Sequence, residues 1–176
     1  MCKFFRVSFS SECYKNTEFV PCIIRCFEKY SKFLHDDFSN SDGLSYVVRS
    51  EPFLWAITES QNDKFMGFVS LDNFIGNGII NYSAELSVCF ERRAWGIFTK
   101  YCAKFFLKYC FDKFGFCKIK AQIYPENHRV KSLLKSCGFK YEATLLSETL
   151  RCAKAQNIEV YSLYRNYYYK NEEKKL

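Results

Sequence analysis

Histidine is nearly missing from this sequence: His35 and His128 are the only two among 176 residues. That leaves little material for a histidine-rich metal site or a conventional Ser/His/Asp triad. Cysteine occurs at ten positions, yet no two of them form a CxxC pair. Neither zinc-ligand spacing nor the dense spacing of a disulfide framework is present, and no metal is expected. Cys102 and Cys137 fall on apolar faces of helical patterns, where reduced cysteine serves as a small core residue. No window approaches the roughly twenty apolar residues that a membrane span needs. The start, MCKFFRVSF, turns polar too soon for a signal peptide. Repeats and low-complexity linkers are also absent, and the expectation is a soluble, cytoplasmic protein with no membrane partner.

What is abundant is apolar and aromatic. Hydrophobic residues make up 48% of the chain and aromatics 19%, with 19 Phe and 13 Tyr, far from the composition of a disordered chain. The length suits one domain over 1–176, with an N-terminal strand and helices in 1–52, a core in 53–166 and a charged tail in 167–176. The net charge of +7 suits an anionic ligand, but the excess is spread out. Lys100, Lys104 and Lys108 recur every four residues, as on a solvated helix face. Most Phe and Tyr follow core periodicity rather than basic loops, so no nucleic-acid partner is expected.

Periodicity orders the elements. Phe4–Phe9 alternates as a strand, and Phe19–Leu34 has helical spacing with Pro21 near its start. Residues 36–43 read as a loop, and a short helix or irregular segment runs toward Pro52. Phe53–Glu59 and Lys64–Leu71 are strands joined by the turn residues SQND, and Gly76 and Gly78 mark a further turn before a strand at Ala84–Phe90. Ile97–Phe114 is the most secure helix, with Cys102, Phe105, Phe106, Tyr109 and Cys110 on one side and lysines on the other. In Lys118–Tyr124, Ile119, Ala121 and Ile123 alternate with Lys118, Lys120 and Gln122, the pattern of a half-buried strand. Asn127–Cys137 reads as a helix capped by Asn127 and ended by Gly138. Two more strands, Phe139–Leu146 and Ile158–Tyr164, complete an α/β chain with a mixed sheet.

The segments AELSVCF, RRAWGIFTKYCAKFF, KIKAQIYPEN, LLKSCGFKYE and IEVYSLYRN stand in the order found in GNAT-superfamily acetyltransferases, and residues 53–166 resemble that family. The resemblance is closest to the ribosomal-protein N-terminal acetyltransferase-like branch, which acetylates protein N-termini and small amines. It implies a mostly antiparallel sheet of six to seven strands, splayed in the middle, with helices on both faces. It also implies acetyl-CoA as acyl donor, a primary amine as acceptor, and N-acetyltransferase activity.

On this resemblance, Arg93, Ala94, Trp95, Gly96, Ile97, Phe98 and Thr99 occupy the segment that cradles the coenzyme A pyrophosphate. A helix N-terminus offers unpaired backbone N–H groups and partial positive charge there. Arg93 and Gly96 match the family pattern; a basic turn holding strand to helix is the plainer reading. Val88, Cys89 and Phe90 fall where the family's backbone pairs with the pantetheine arm. Asn127 matches a position near the thioester, although it also suits a helix cap. Glu85 stands at the family's frequent base, since acyl transfer to an amine requires a deprotonated nucleophile; a solvent-facing strand residue is the other possibility. Cys89 has no activating neighbour in the sequence, so a covalent nucleophile is not expected.

Three departures stand out. Leu134 occupies the position of the family's usual tyrosine acid. The connection from Glu85 to Gly96 is about two residues short by comparison with the family pattern. Phe98 replaces a small residue, and either turns into the core with the row 98, 102, 105 and 109 or blocks the site. A second reading is therefore a catalytically degenerate GNAT-fold module that binds within a larger assembly. The oligomeric state is not legible in the sequence.

Overall fold

The computed structural model describes residues 1–10, 13–33, 48, 53–77, 79–151 and 153–173. The loop expected at 36–43, the segment running toward Pro52 and the turn mark Gly78 lie outside the described residues. The chain forms two compact units, one of residues 1–71 and 87–102, the other of 72–86 and 103–176.

In the first unit, β1 (Cys2–Ser10), β2 (Cys13–Lys15), β3 (Leu54–Glu59), the first part of β4 (Phe65–Gly76) and the last part of β5 (Asn81–Phe90) follow the order β2-β1-β3-β4-β5. The β1–β3 ladder is antiparallel and sets Val7 opposite Leu54. Helix α1 (Val20–Tyr30) carries Pro21 in its first turn, where the missing N–H removes no helical bond. Its Val20, Ile23, Cys26 and Tyr30 recur at helical spacing and pack with Val7, Leu54, Ala56 and Phe68. Enclosing a side chain such as Ile23, which is fully buried, contributes about 1.5–3 kcal/mol. β4 and β5 approach closely at Gly67, where an added Cβ would stand 2.3 Å from the Cys89 carbonyl oxygen and 2.9 Å from Phe90 Cα.

In the second unit, the end of β4, the start of β5, β6 (Lys118–Ile123), β8 (Lys154–Tyr164) and β7 (Lys140–Arg151) follow the order β4-β5-β6-β8-β7. β5 and β6 run parallel, and their ladder holds for three pairs: Ser83 with Lys118, Ala84 with Ile119 and Glu85 with Lys120. The family resemblance implies such a splay. β6 pairs antiparallel with β8, and β8 antiparallel with β7. The mixed, mostly antiparallel sheet is thus present with seven long strands, and the three-residue β2 adds a short return beside β1.

Helix α2 (Ile97–Phe114) has the bounds the periodicity predicts, but its buried row differs. Thr99, Cys102, Phe106, Leu107, Cys110 and Phe111 are buried, whereas Phe105 is 51% and Tyr109 38% exposed. The expected row 98, 102, 105 and 109 therefore leaves the core after Cys102, and Phe98 is half-buried. Helix α3 (His128–Ser136) is capped by Asn127, whose side chain accepts from the Val130 amide at 3.3 Å. Gly138 follows it at φ +93°, a left-handed stop that glycine adopts without strain.

The expected charged tail is corrected: Arg165–Glu173 forms helix α4. Tyr168 is buried, packs on Phe111 and donates its hydroxyl to the Lys104 carbonyl at 3.2 Å. Aromatic burial anchors this charged segment to α2. No described helix is long and apolar enough to cross a membrane.

Candidate active site

Glu85 lies in the second unit, and its side chain is buried rather than facing solvent. Its Oε2 accepts from Gln122 Nε2 at 2.8 Å and from Asn73 Nδ2 at 3.2 Å. Buried carboxylate oxygens need such donors. Asn73 reaches this position from a left-handed backbone, φ +45°, which asparagine tolerates better than most residues. Around Glu85 is a cavity of about 390 Å³ lined by Asn73, Phe74, Ile75, Glu85, Lys120 and Gln122.

The polar side of β6 is correspondingly not a solvent face. Lys118 is 7% exposed and its ammonium donates to Glu142 Oε1 at 2.5 Å. Ser162 Oγ donates to Glu142 Oε2 at 2.5 Å. These two bonds, Lys118 first, hold the Glu142 carboxyl below the ordinary carboxylate range. The alternation expected of β6 is present, and its polar side meets Glu142 of β7 and Glu85 of β5. Asn73, Lys120 and Gln122 were not singled out by sequence reasoning. Asn73 falls beyond the expected end of β4, which runs five residues past Leu71.

The loop residues lie in the first unit. Arg92–Ala94 forms a 3-10 turn, and the Arg93 guanidinium donates to the Phe65 carbonyl at 2.5 Å. Trp95 Nε1 donates to the Phe90 carbonyl at 3.1 Å, and Thr99 Oγ1 to the Ala94 carbonyl at 2.6 Å. Tyr30 OH donates to Glu91 Oε2 at 3.3 Å and accepts from the Arg92 amide at 2.9 Å, while Lys29 pairs with Glu91 at 2.9 Å. Gly96 adopts φ +105° with nothing within 4 Å of where a Cβ would be, and Ile97 beside it is exposed. The amides from Gly96 to Thr99 head α2, where a helix leaves its first donors without intrahelical partners.

Of the other expected residues, Val88 is half-buried, and Cys89 and Phe90 are buried at the end of β5. Cys89 Sγ lies 3.7 Å from Cys26 Sγ. That thiol contact, then burial, pushes the Cys89 thiol well above the ordinary range, so it is a packing residue and no nucleophile. Asn127 caps α3 in the second unit, and Leu134 on the same helix is buried. Among the described residues no group of three His, Cys, Asp or Glu side chains could hold a metal ion.

The profile of the acetyltransferase (GNAT) domain family matches residues 27–140. A search of curated protein sequences returns no match. Among solved structures, a GNAT-family acetyltransferase from Bacillus anthracis superposes with TM-score 0.76 at 11% identity, covering 94% of this chain and 95% of that one. A variant of the spermidine N-acetyltransferase SpeG from Vibrio cholerae gives TM-score 0.75 at 16% identity, covering 98% and 99%. The same Vibrio cholerae enzyme in complex with CoA and spermine gives 0.72 at 18%, covering 96% and 98%. These similarities establish the fold, and the profile match establishes the family: the chain belongs to the GNAT acetyltransferases.

Proposed function

We propose that this chain transfers the acetyl group of acetyl-CoA to a primary amine by direct attack, with Glu85 as the general base. One observation carries the assignment: a buried carboxylate, oriented by two amide donors, lines a cavity of about 390 Å³ on the β5 strand of a GNAT domain. Acetyl-CoA supplies an activated thioester acyl group. Glu85 takes the proton from the acceptor's ammonium, directly or through water, so that a neutral amine attacks. Asn73 and Gln122 fix the direction of its lone pairs.

The residues of the loop fit the acyl donor. Gly96 keeps a conformation and an open side that a larger residue would lose. The amides of Gly96, Ile97, Phe98 and Thr99 would hold phosphate oxygens at the head of α2, while Arg93, Ala94 and Trp95 hold the loop's shape. Val88, Cys89 and Phe90 would offer backbone groups to the pantetheine arm, and Asn127 would act near the thioester. We place the whole sequence, 1–176, in one cytoplasmic domain.

The acceptor class in this reading is a protein N-terminus, a lysine or a small amine. Two of the three solved neighbours named above are spermidine N-acetyltransferases, one of them captured with CoA and spermine. They favour a small amine over the ribosomal-protein N-terminal branch. One observation favours the second reading, a degenerate GNAT-fold binding module: Leu134, at the position of the family's usual acid, is packed in the core. A thermal-shift titration with acetyl-CoA separates the two. The enzyme reading expects stabilisation of about 2.7 kcal/mol at a hundred times the dissociation constant, and no shift at millimolar acetyl-CoA would remove it.

A further inference from the structure

The cavity that holds Glu85 also contains a cation. Lys120 lines it and is half-buried. Its ammonium makes no hydrogen bond or ion pair with the described residues, in contrast to Lys118, whose charge is matched by Glu142. Lys120 still reaches Glu142 electrostatically, but that carboxylate is already held by Lys118 and Ser162. A half-buried ammonium with no hydrogen-bonded carboxylate among the described residues has donors left for an anion brought by a ligand.

Lys120 and Glu85 are direct partners in the parallel β5–β6 ladder. Paired residues on adjacent strands are about 4.8 Å apart and point to the same face. A carboxylate base and an unmatched ammonium therefore stand within the span of one small molecule. On another wall, Phe74 and Ile75 present apolar surface, 38% and 53% exposed. A polyamine would require several carboxylates; among the described residues lining the cavity, Glu85 is the single acid and Lys120 opposes it.

Building on the acetyltransferase reading above, we propose that the acceptor is an amino carboxylate with an apolar side chain. Lys120 is the residue that selects it, by binding the carboxylate while Glu85 deprotonates the neighbouring ammonium. The step balances: Glu85 takes one proton from the ammonium, the neutral amine nitrogen forms a bond to the acetyl carbon, the carbon–sulfur bond breaks, and the second proton on nitrogen passes, directly or through water, to the departing thiolate.

The test is a set of kinetic measurements with the full chain and acetyl-CoA, using L-phenylalanine, phenethylamine and spermidine as acceptors and mass spectrometry to detect product. A charged hydrogen bond to the carboxylate corresponds to about a tenfold or greater preference in kcat/KM for L-phenylalanine over phenethylamine. Lys120→Met should bring that ratio close to one by raising KM for L-phenylalanine far more than for phenethylamine, and Lys120→Arg should restore part of it. L-Phenylalanine should also raise the Tm of the wild type and not of Lys120→Met. Equal use of phenethylamine, preference for spermidine, or a ratio insensitive to Lys120→Met would overturn the inference while leaving the acetyltransferase reading in place. Absence of acetylation of all three amines, together with no stabilisation by acetyl-CoA, would overturn both.

Discussion

The loop at 91–99 and the cavity around Glu85 use their polar groups in opposite ways. In the loop, the side chains of Glu91, Arg93, Trp95 and Thr99 bond to neighbouring protein groups, while Gly96 leaves open space at the head of α2. In the cavity the side chains themselves form the wall, with Asn73 and Gln122 aimed at Glu85 and Lys120 left without a hydrogen-bond partner among the described residues. Backbone donors are blind to side-chain identity, so on the proposed reading a loop that holds the acyl donor through its amides tolerates Phe98. On the same reading a wall of side chains carries the chemistry and the selectivity, and substitutions there act on both.

Changes in the cavity should therefore alter chemistry and changes in the loop should alter stability. The largest effect is expected from Glu85→Gln: kcat for amine acetylation should fall about a hundredfold or more, with the acetyl-CoA dissociation constant unchanged. A change in affinity without a change in kcat would erase the distinction between the two regions. Gly67→Ala should destabilise by about 3 kcal/mol in urea unfolding, because its methyl group would meet backbone atoms of Cys89 and Phe90 that cannot turn aside. The same change at Gly96 should cost only about 1–2 kcal/mol, since space is open there and backbone strain is the sole penalty.

The smallest expected effect lies beside the cavity. Glu142→Gln should cost about 1 kcal/mol at neutral pH, because Lys118 stays buried while Glu142, 37% exposed, is partly screened by solvent. The sign of its pH dependence follows from the lowered carboxyl pKa. Stabilisation by Glu142 is complete above its unfolded value of about 4.3 and is lost as pH falls through the folded value. Thermal unfolding of Glu142→Gln should accordingly depend less on acid than the wild type does.

Much of the fold was legible because apolar spacing determines which element can bury a face. Helix α2 was readable at both ends, and Asn127 and Gly138 marked α3 by their capping chemistry. The buried row of α2 was misread because Phe105 and Tyr109 are as apolar as the residues that the core accepts; periodicity alone does not choose between adjoining stripes. Helix α4 was hidden by its charge, since the contact of Tyr168 with Phe111 joins residues far apart in the sequence. Glu85, Arg93 and Gly96 were named as candidates through the family's segment order. Asn73, Lys120 and Gln122 were not, because their meeting with Glu85 depends on strand register and on a left-handed turn of the β4 backbone.

The most direct test of the account is mass-spectrometric detection of an acetylated primary amine after incubation of the purified chain with acetyl-CoA. The account predicts that acetylated amine and free coenzyme A appear in equal amounts, and that both depend on Glu85. Hydrolysis of acetyl-CoA without acetylated amine, or no turnover at saturating acetyl-CoA across a broad set of amines, would contradict it.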